Sequence, residues 1–567
     1  MEPTVLGVIA VALIVGAAVL GRKTGIASVL ILLVGGIVIG YLPGTPPVDI
    51  PPEWILAGVL PLLLYSSAVN VAFTDFRRNL RAITGLSVTL VVVTSVIVGG
   101  VLYLLLPGLG LAAAIALGAV ISPTDAVAAT SIAKRLGLPN RLVSVLEGES
   151  LVNDASALVL LRSAVAATAG TVSLWEVAGD FVYASALGVG IGLLVGFVTV
   201  WIRARISEPV VTTTISFAIP FIAFVPAEHF GASGVIAVVA AGLVTGHRGA
   251  SRFAANQRIS DHTNWATVQF ILEHAVFLLM GLELHALIED VAAEQGGVPF
   301  ALLLGLALTA IVVVIRFVFV FPQLAYLRRL ERKQVEQGDL HRDNIRGFVE
   351  AAPAETERQV RRKRGLLRRL RKREADSDFY RTEGLEWREG LVISWAGMRG
   401  VVTLAAAQSL PAEIPFRSTL ILVAFVVAVV TLFGLGGTLP AVIRKTGISA
   451  ADEARSAETH ELLDAVNRAA VAILDDPRQT TIDGMPADPV VVEGLRARYR
   501  RPAQLEIDED TESQIDQRSQ MRILDERMRQ TARAELLDAR ALGSFSSEAI
   551  AAVQRVLDIE ESRFDAL

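Results

Sequence analysis

Apolar runs long enough to cross a lipid bilayer follow one another along this chain almost without pause. A helical span needs roughly 20 mainly apolar residues. Hydrocarbon offers no hydrogen-bond partners, so a spanning backbone must satisfy itself as a helix or a closed barrel. Runs of this length select the helix. They fall at residues 4–21, 25–42, 54–74, 83–107, 111–134, 141–169, 174–203, 209–226, 230–246, 263–285, 299–327, 387–410 and 417–443. The length criterion therefore predicts an all-α polytopic membrane protein of about thirteen transmembrane helices.

Composition excludes several alternatives. Of 567 residues, 53% are hydrophobic and 19% are charged, the balance of a membrane protein. The start "MEPTVLG" has no basic stretch before its apolar run, so the first run is expected to be a span and not a cleaved signal. Cysteine is absent, which removes disulfides and thiolate metal sites. No HExxH, paired catalytic aspartate motif or Ser–His arrangement is present, and no phosphate-binding loop. The chain is expected not to be an enzyme, and to bind neither a cofactor nor nucleic acid.

The loops orient the spans. Arg22 and Lys23, then Arg77, Arg78 and Arg81, then Lys134 and Arg135 follow spans one, three and five. Arg203 and Arg205, then Arg248, Arg252 and Arg258, then "RRKRGLLRRLRKR", then Arg444 and Lys445 follow spans seven, nine, eleven and thirteen. The alternate loops "PGTPPVDIPPE", "PGLG", "GTVS" and "EDVAAEQGG" carry no Lys or Arg. Basic loops stay cytoplasmic, so the N-terminus is expected outside and the C-terminus in the cytoplasm. The Ala-, Val- and Arg-rich alphabet points to a bacterial inner membrane.

The expected domains are a transmembrane part at 1–443, including a basic cytoplasmic loop at 328–386, and a cytoplasmic helical tail at 444–567. Residues 361–373 of the loop are suited to anionic lipid. The tail's "SQMRILDERMRQTARAELLDARAL" has the spacing of an amphipathic helix.

Two spans carry helix breakers beside a charge. "LAAAIALGAVISPTDAVAATSIAKRL" holds Ser122, Pro123, Thr124 and Asp125 near its middle, and "REGLVISWAGMRGVVTLAAAQSL" holds two glycines around Arg399. Proline removes a backbone donor and clashes with the turn before it. The two spans are separated by an odd number of crossings, so they run in opposite directions. Matching interruptions in two opposed halves are the mark of an inverted-repeat transporter. Half-helix ends meeting at mid-membrane need charge compensation; Asp125 and Arg399 are the candidates.

Between these breaks lies "LEGESLVNDASALVL". Charges at mid-membrane each cost roughly 2.5–3.5 kcal/mol on insertion scales, so they imply function. Ser150, Asn153 and Asp154 share one helix face and offer hard oxygen ligands for a small cation. A carboxylate at that depth can hold a proton or a cation, but not both well, and such competition suffices for exchange. The lone Arg316 in span eleven needs a buried partner. Glu149 is the best placed and Glu147 the next, with Arg162 an alternative partner for these acids. A Glu149–Arg316 pair leaves Asp154 as the single exchanging carboxylate, giving electroneutral 1:1 exchange. Glu147 and Glu273 are candidates for an entrance funnel, and Glu273 also for a pair with Arg399.

"SPTDAVA", "EGESLVNDASALVL", "FLLMGLEL" and "WAGMRGVVTLA" together resemble the monovalent cation:proton antiporter-1 family. That family includes bacterial sodium/proton antiporters and the animal sodium/hydrogen exchangers. The resemblance covers residues 1–443. It implies thirteen spans in a dimerisation bundle and a six-helix core, a homodimer, and elevator-like alternating access. It places the cation-binding aspartate at Asp154, its asparagine at Asn153 and a serine ligand at Ser150. It places the broken-helix residues at Thr124, Asp125 and Arg399, and a structural ion pair at Glu149 and Arg316. Asp154, Ser150 and Thr124 are then the Na+ ligands. Some relatives carry a further acid in span three where this chain has Ser66. The transported ions are expected to be H+ and Na+, with Li+ or K+ as alternatives. A K+-preferring antiporter is the nearest competing expectation, and a cation channel the next.

Overall fold

The computed structural model describes residues 3–24, 27–43, 51–168, 174–292, 294, 297–351, 356–448, 452–500 and 513–565. It divides into two compact units. The first comprises Met1–Arg332 with Glu383–Ser449, and the second Lys333–Thr382 with Ala450–Leu567.

The first unit is helical, because apolar segments with no competing polar partners close their hydrogen bonds locally. It opens with α1 (Pro3–Thr24), α2 (Ser28–Gly40), α3 (Leu60–Asn70), α4 (Phe73–Arg78), α5 (Leu80–Thr84) and α6 (Leu90–Leu105). α7 (Leu111–Ile121) and α8 (Ala126–Arg135) share one apolar run, and α9 is Asn140–Thr168. Then come α10 (Leu174–Arg203), α11 (Pro209–His229), α12 (Gly234–Arg252), α13 (Ala255–Ala292) and α14 (Gly297–Ala351). After α15 (Glu357–Thr382) in the second unit, the chain returns as α16 (Trp387–Trp395), α17 (Val401–Gln408), α18 (Arg417–Thr431) and α19 (Gly437–Thr446). Among the described residues, eight helices are long and apolar enough to cross a membrane, and Ser28–Gly40, Trp54–Asn70 and Leu111–Ile121 are shorter apolar helices. The protein is a multi-pass membrane protein.

Several helices outrun their apolar stretches. α14 continues to Ala351, well beyond the expected end of the span at 327. Its extension begins "RRLERKQVEQ", rich in good helix formers, and holds no Pro.

Two large packed bodies flank the middle of the first unit, beside a smaller cluster of Ile14, Ala17, Leu32 and Leu278. One gathers Leu117, Leu142, Leu308, Val392 and Val423 from α7, α9, α14, α16 and α18. The other gathers Tyr65, Ala68, Ala223, Val238 and Trp265 from α3, α11, α12 and α13. α9 belongs to both: Leu142, Leu146 and Leu161 pack in the first body, Leu151 and Ala155 in the second. Its middle therefore lies on the seam.

The second unit holds α20 (Asp452–Ala472), a two-stranded antiparallel hairpin of β1 (Thr481–Ile482) and β2 (Met485–Pro486), α21 (Pro489–Arg500), α22 (Ser513–Leu542) and α23 (Ser547–Asp565). α22 covers the amphipathic stretch noted in the sequence, with Leu524, Met528 and Leu536 buried against Leu462, Val466 and Val553. The loop 328–386 was expected to go with the membrane domain, yet its helix α15 groups with the tail. Within that unit Arg368 pairs with Asp538 of α22 at 2.8 Å, and Leu370 is buried.

Two predictions follow from this packing. α2 and α13 touch backbone to backbone at Gly36 and Gly281, where an added Cβ would strike Leu278 O and Leu33 O respectively. Small residues allow such approach where packing, not water, drives association. Gly281→Val should therefore destabilise by about 1–3 kcal/mol or more in detergent thermal melts, whereas Gly35→Val, facing open space, should be silent. In the second unit, Asp488 accepts from Val490 N at 2.8 Å ahead of α21 and from Gln517 Nε2 at 2.7 Å. The Val490 N–H first, and then the Gln517 amide, hold its carboxyl below the usual range. That stabilisation is complete above the ordinary carboxylate pKa and is lost as pH falls through the depressed value. Asp488→Ala should lower the melting temperature of this unit at neutral pH, and the gap to wild type should close in acid, followed by circular dichroism.

Candidate functional site

α7 stops at Ile121 and α8 starts at Ala126; α16 stops at Trp395 and α17 starts at Val401. Pro123 has no N–H to return to the helix, and Gly397 and Gly400 are needed for close approach. A Cβ on Gly397 would strike the Arg316 side chain, and one on Gly400 the Asp125 carboxylate. The two breaks bond directly to each other. Asp125 N donates to Met398 O at 2.6 Å. Arg399 Nε donates to Ile121 O at 3.1 Å, Nη1 to Gly397 O, and its backbone N–H to Thr431 Oγ1 at 3.0 Å. The Arg399 guanidinium thus lies on the carbonyl end of α7, which carries partial negative charge. The Asp125 carboxylate lies against Gly400, immediately before the positive end of α17.

α9 passes beside both breaks. Glu149 and Arg316 form a buried two-pronged pair, Nη1–Oε1 at 2.5 Å and Nη2–Oε2 at 2.9 Å. Arg316 also donates from Nε (3.1 Å) and Nη2 (2.9 Å) to Ile393 O in the last turn of α16. Thr124 Oγ1 donates to Glu149 Oε1 at 2.9 Å and accepts from Asn153 Nδ2 at 2.7 Å. Arg316, Glu149, Thr124 and Asn153 therefore form one continuous polar chain. Asn153 Oδ1 is buried and has no hydrogen-bond partner among the described residues, so an acceptor remains unused.

Asp154 is the next residue, 8% exposed. It shares its helix face with Leu151, three residues earlier, which packs in the second body. Among the described residues no hydrogen bond or ion pair engages its carboxylate. Asp125 is near enough to interact electrostatically with both Asp154 and Glu273. Ser150 stands one turn before Asp154, half-buried.

Other sequence expectations land differently. Glu273 does not pair with Arg399; it accepts from Gln269 Nε2 at 2.8 Å, and Ser66 Oγ donates to Gln269 Oε1 at 3.0 Å. Glu147 is bound to Lys134 at 2.7 Å, and Arg162 pairs with Glu228 at 2.5 Å. Nothing in the sequence marked Gln269, an ordinary amide in an apolar helix, as the residue joining Ser66 to Glu273.

A family model described as the transmembrane sodium/hydrogen exchanger matches residues 9–445, a stretch that includes every residue of this site. The chain belongs to the sodium/hydrogen exchanger family. An uncharacterized Na+/H+ exchanger of Mycobacterium bovis is 31% identical across 97% of this chain and 94% of its own length. A sodium, potassium, lithium and rubidium/H+ antiporter of Bacillus pumilus is 32% identical across 50% of this chain and 44% of its own. The solved sodium proton antiporter MjNhaP1 of Methanocaldococcus jannaschii shares the fold, with a TM-score of 0.55 and 16% identity across 79% of this chain and 99% of that one.

The ion pair in this exchanger-family chain yields a third prediction. Glu149→Gln strands a buried guanidinium and should destabilise by about 3–5 kcal/mol. Adding Arg316→Met should recover most of that loss in detergent melts, because the charge is removed with its partner.

Proposed function

We propose that this protein is a secondary antiporter that exchanges Na+ for H+, with cation and proton competing for Asp154. The observation that carries the reading is the contrast between two neighbouring buried acids. Glu149 is neutralised by Arg316, whereas Asp154 has no ion-pair partner among the described residues and sits on the seam between two packed bodies.

In this mechanism Asp154, Ser150 and Thr124 ligate the ion, and the unused Asn153 Oδ1 faces it as a further oxygen. Such ligands suit a hard monovalent cation. Protonation of Asp154 removes the charge that holds the ion and releases it. Because Glu149 stays paired, one proton replaces one cation and exchange is electroneutral. Asp125 and Arg399 compensate the half-helix ends where the two broken helices cross. Movement of the two packed bodies against each other along the α9 seam exposes Asp154 to each side in turn, an elevator-like alternating access.

The remaining architecture follows the same reading: thirteen spans, a homodimer in the bacterial inner membrane, the N-terminus outside, and the second unit in the cytoplasm. Arginines in 361–373 of that unit contact anionic lipid. A second reading, K+/H+ exchange, has support from the breadth of ions in the name of the Bacillus pumilus relative; cavity size decides between them.

The test uses proteoliposomes with an imposed Na+ gradient, an internal pH dye and a K+/valinomycin voltage clamp. Wild type should move protons against Na+ under the clamp, and Asp154→Asn should move none. Exchange surviving in the mutant would place the site elsewhere. Coupling to K+ alone would select the second reading.

A further inference from the structure

A second buried polar cluster lies at the other end of α9. Arg141, the second residue of the helix, is 2% exposed, and its guanidinium reaches three separate segments. Nε donates to Asn79 Oδ1 at 3.0 Å, between α4 and α5. Nη2 donates to Glu331 Oε1, and Nη1 to Glu331 Oε2 at 3.4 Å, on α14. Nη1 also donates to Glu383 O at 2.7 Å, while the Arg141 backbone N–H donates to Glu383 Oε2 at 2.9 Å. One turn earlier on α14, Arg328 Nε donates to Leu385 O at 2.5 Å. A surface ion pair would carry little weight; a buried, forked arginine with partners on three segments is a different object.

The chain's connectivity gives the cluster its meaning. The first unit hands over to the second after Arg332 and takes the chain back at Glu383. The chain passes between the units a third time after Ser449. Glu331 and Glu383 therefore flank the two junctions of the α15 segment, and one guanidinium grips both. That guanidinium belongs to the first turn of the helix carrying Glu149, Asn153 and Asp154. Asp154 is about 20 Å further along the same continuous helix, at 1.5 Å per residue.

We propose that Arg141 is a positioning residue that couples the second unit to transport. It clamps the two junctions of the α15 segment to the start of α9, so a change in the second unit is felt as a displacement or a restraint of the Asp154 helix. The clamp acts on how fast α9 moves and leaves the ligands of the ion untouched. This inference rests on the antiport reading, and the experiment separates their failures.

Initial rates of Na+-driven proton movement are measured over a Na+ series for full-length wild type, Arg141→Gln, Arg141→Lys and Glu331→Gln. The same series is run for Leu524→Ala, which hollows the core of the second unit, and for Leu524→Ala combined with Arg141→Gln. Arg141→Gln and Glu331→Gln should each lower the maximal rate about tenfold, a typical coupling magnitude, with the KM for Na+ within about twofold. Lysine keeps the charge but loses the fork, and should restore only part of the rate. Leu524→Ala should change the maximal rate when Arg141 is present and have no further effect when it is absent, since coupled sites are non-additive. An unchanged maximal rate in Arg141→Gln, a KM rising in step with the lost rate, or additive effects of the two substitutions would each overturn the proposal. Should Arg141→Gln fail to fold, Glu331→Gln replaces it in both the single and the combined variant. Wild type that couples neither Na+ nor K+ to protons defeats the antiport reading instead. Hydrogen exchange of residues 140–158 then still tests the coupling: Leu524→Ala should alter it in the Arg141 background only, and an equal change in both backgrounds overturns the clamp.

Discussion

A guanidinium buried among apolar helices must find a carboxylate, and the Arg316–Glu149 pair is the interaction on which the rest of this architecture hangs. Its prongs set the depth of α9 against α14, and its remaining donors hold Ile393 O at the end of α16. Gly397 is glycine because Arg316 passes where a Cβ would be. From the same pair the polar chain runs on through Thr124 to Asn153. Replacing such a pair by matched apolar groups is often neutral for stability. What the pair adds here is position: it presents α9 to both helix breaks at one fixed register.

Interrupting two helices inside an apolar body is expensive unless each freed group is met. The breaks meet one another's needs. Asp125 N takes the carbonyl of Met398, and Arg399 takes the carbonyl of Ile121. The result is a rigid polar centre bounded by helix ends of both signs, with the unused Asn153 Oδ1 and the Asp154 carboxylate beside it. α9 bridges the two packed bodies through Leu142 and Leu146 on one side and Leu151 and Ala155 on the other. In the proposed mechanism a motion that separates the bodies reaches a carboxylate at such a seam, which ties the packing of the helix to the chemistry proposed for it.

Much of this was legible before any coordinates. Arg316 had to have an acidic partner, and Glu149 was the best placed; the breakers around Pro123 and Arg399 announced themselves by residue type. The legible features depend on composition within a single run, or on a charge too costly to leave alone. Illegible were pairings among less costly groups. Glu273 binds Gln269 and not Arg399, Glu147 binds Lys134, and Arg162 binds Glu228. Arg141 and Glu331 lie 190 residues apart, and in the sequence both look like ordinary charges at the ends of spans. The grouping of the basic loop's helix with the tail was illegible for a related reason: Arg368 and Asp538, which pair, lie 170 residues apart.

By itself the sequence determined that the chain crosses a membrane repeatedly, that helix breakers fall within two apolar runs, and that α9 carries acids among apolar residues. These follow from solvation, because hydrocarbon leaves apolar runs, prolines and buried charges few ways to be satisfied. Tertiary structure alone decided what Glu147, Glu273 and Arg162 bind, where the seam between the packed bodies falls, and that one arginine grips both junctions of the α15 segment. Most of those outcomes depend on distances between residues remote in the chain, and only the packing of the helices sets those distances.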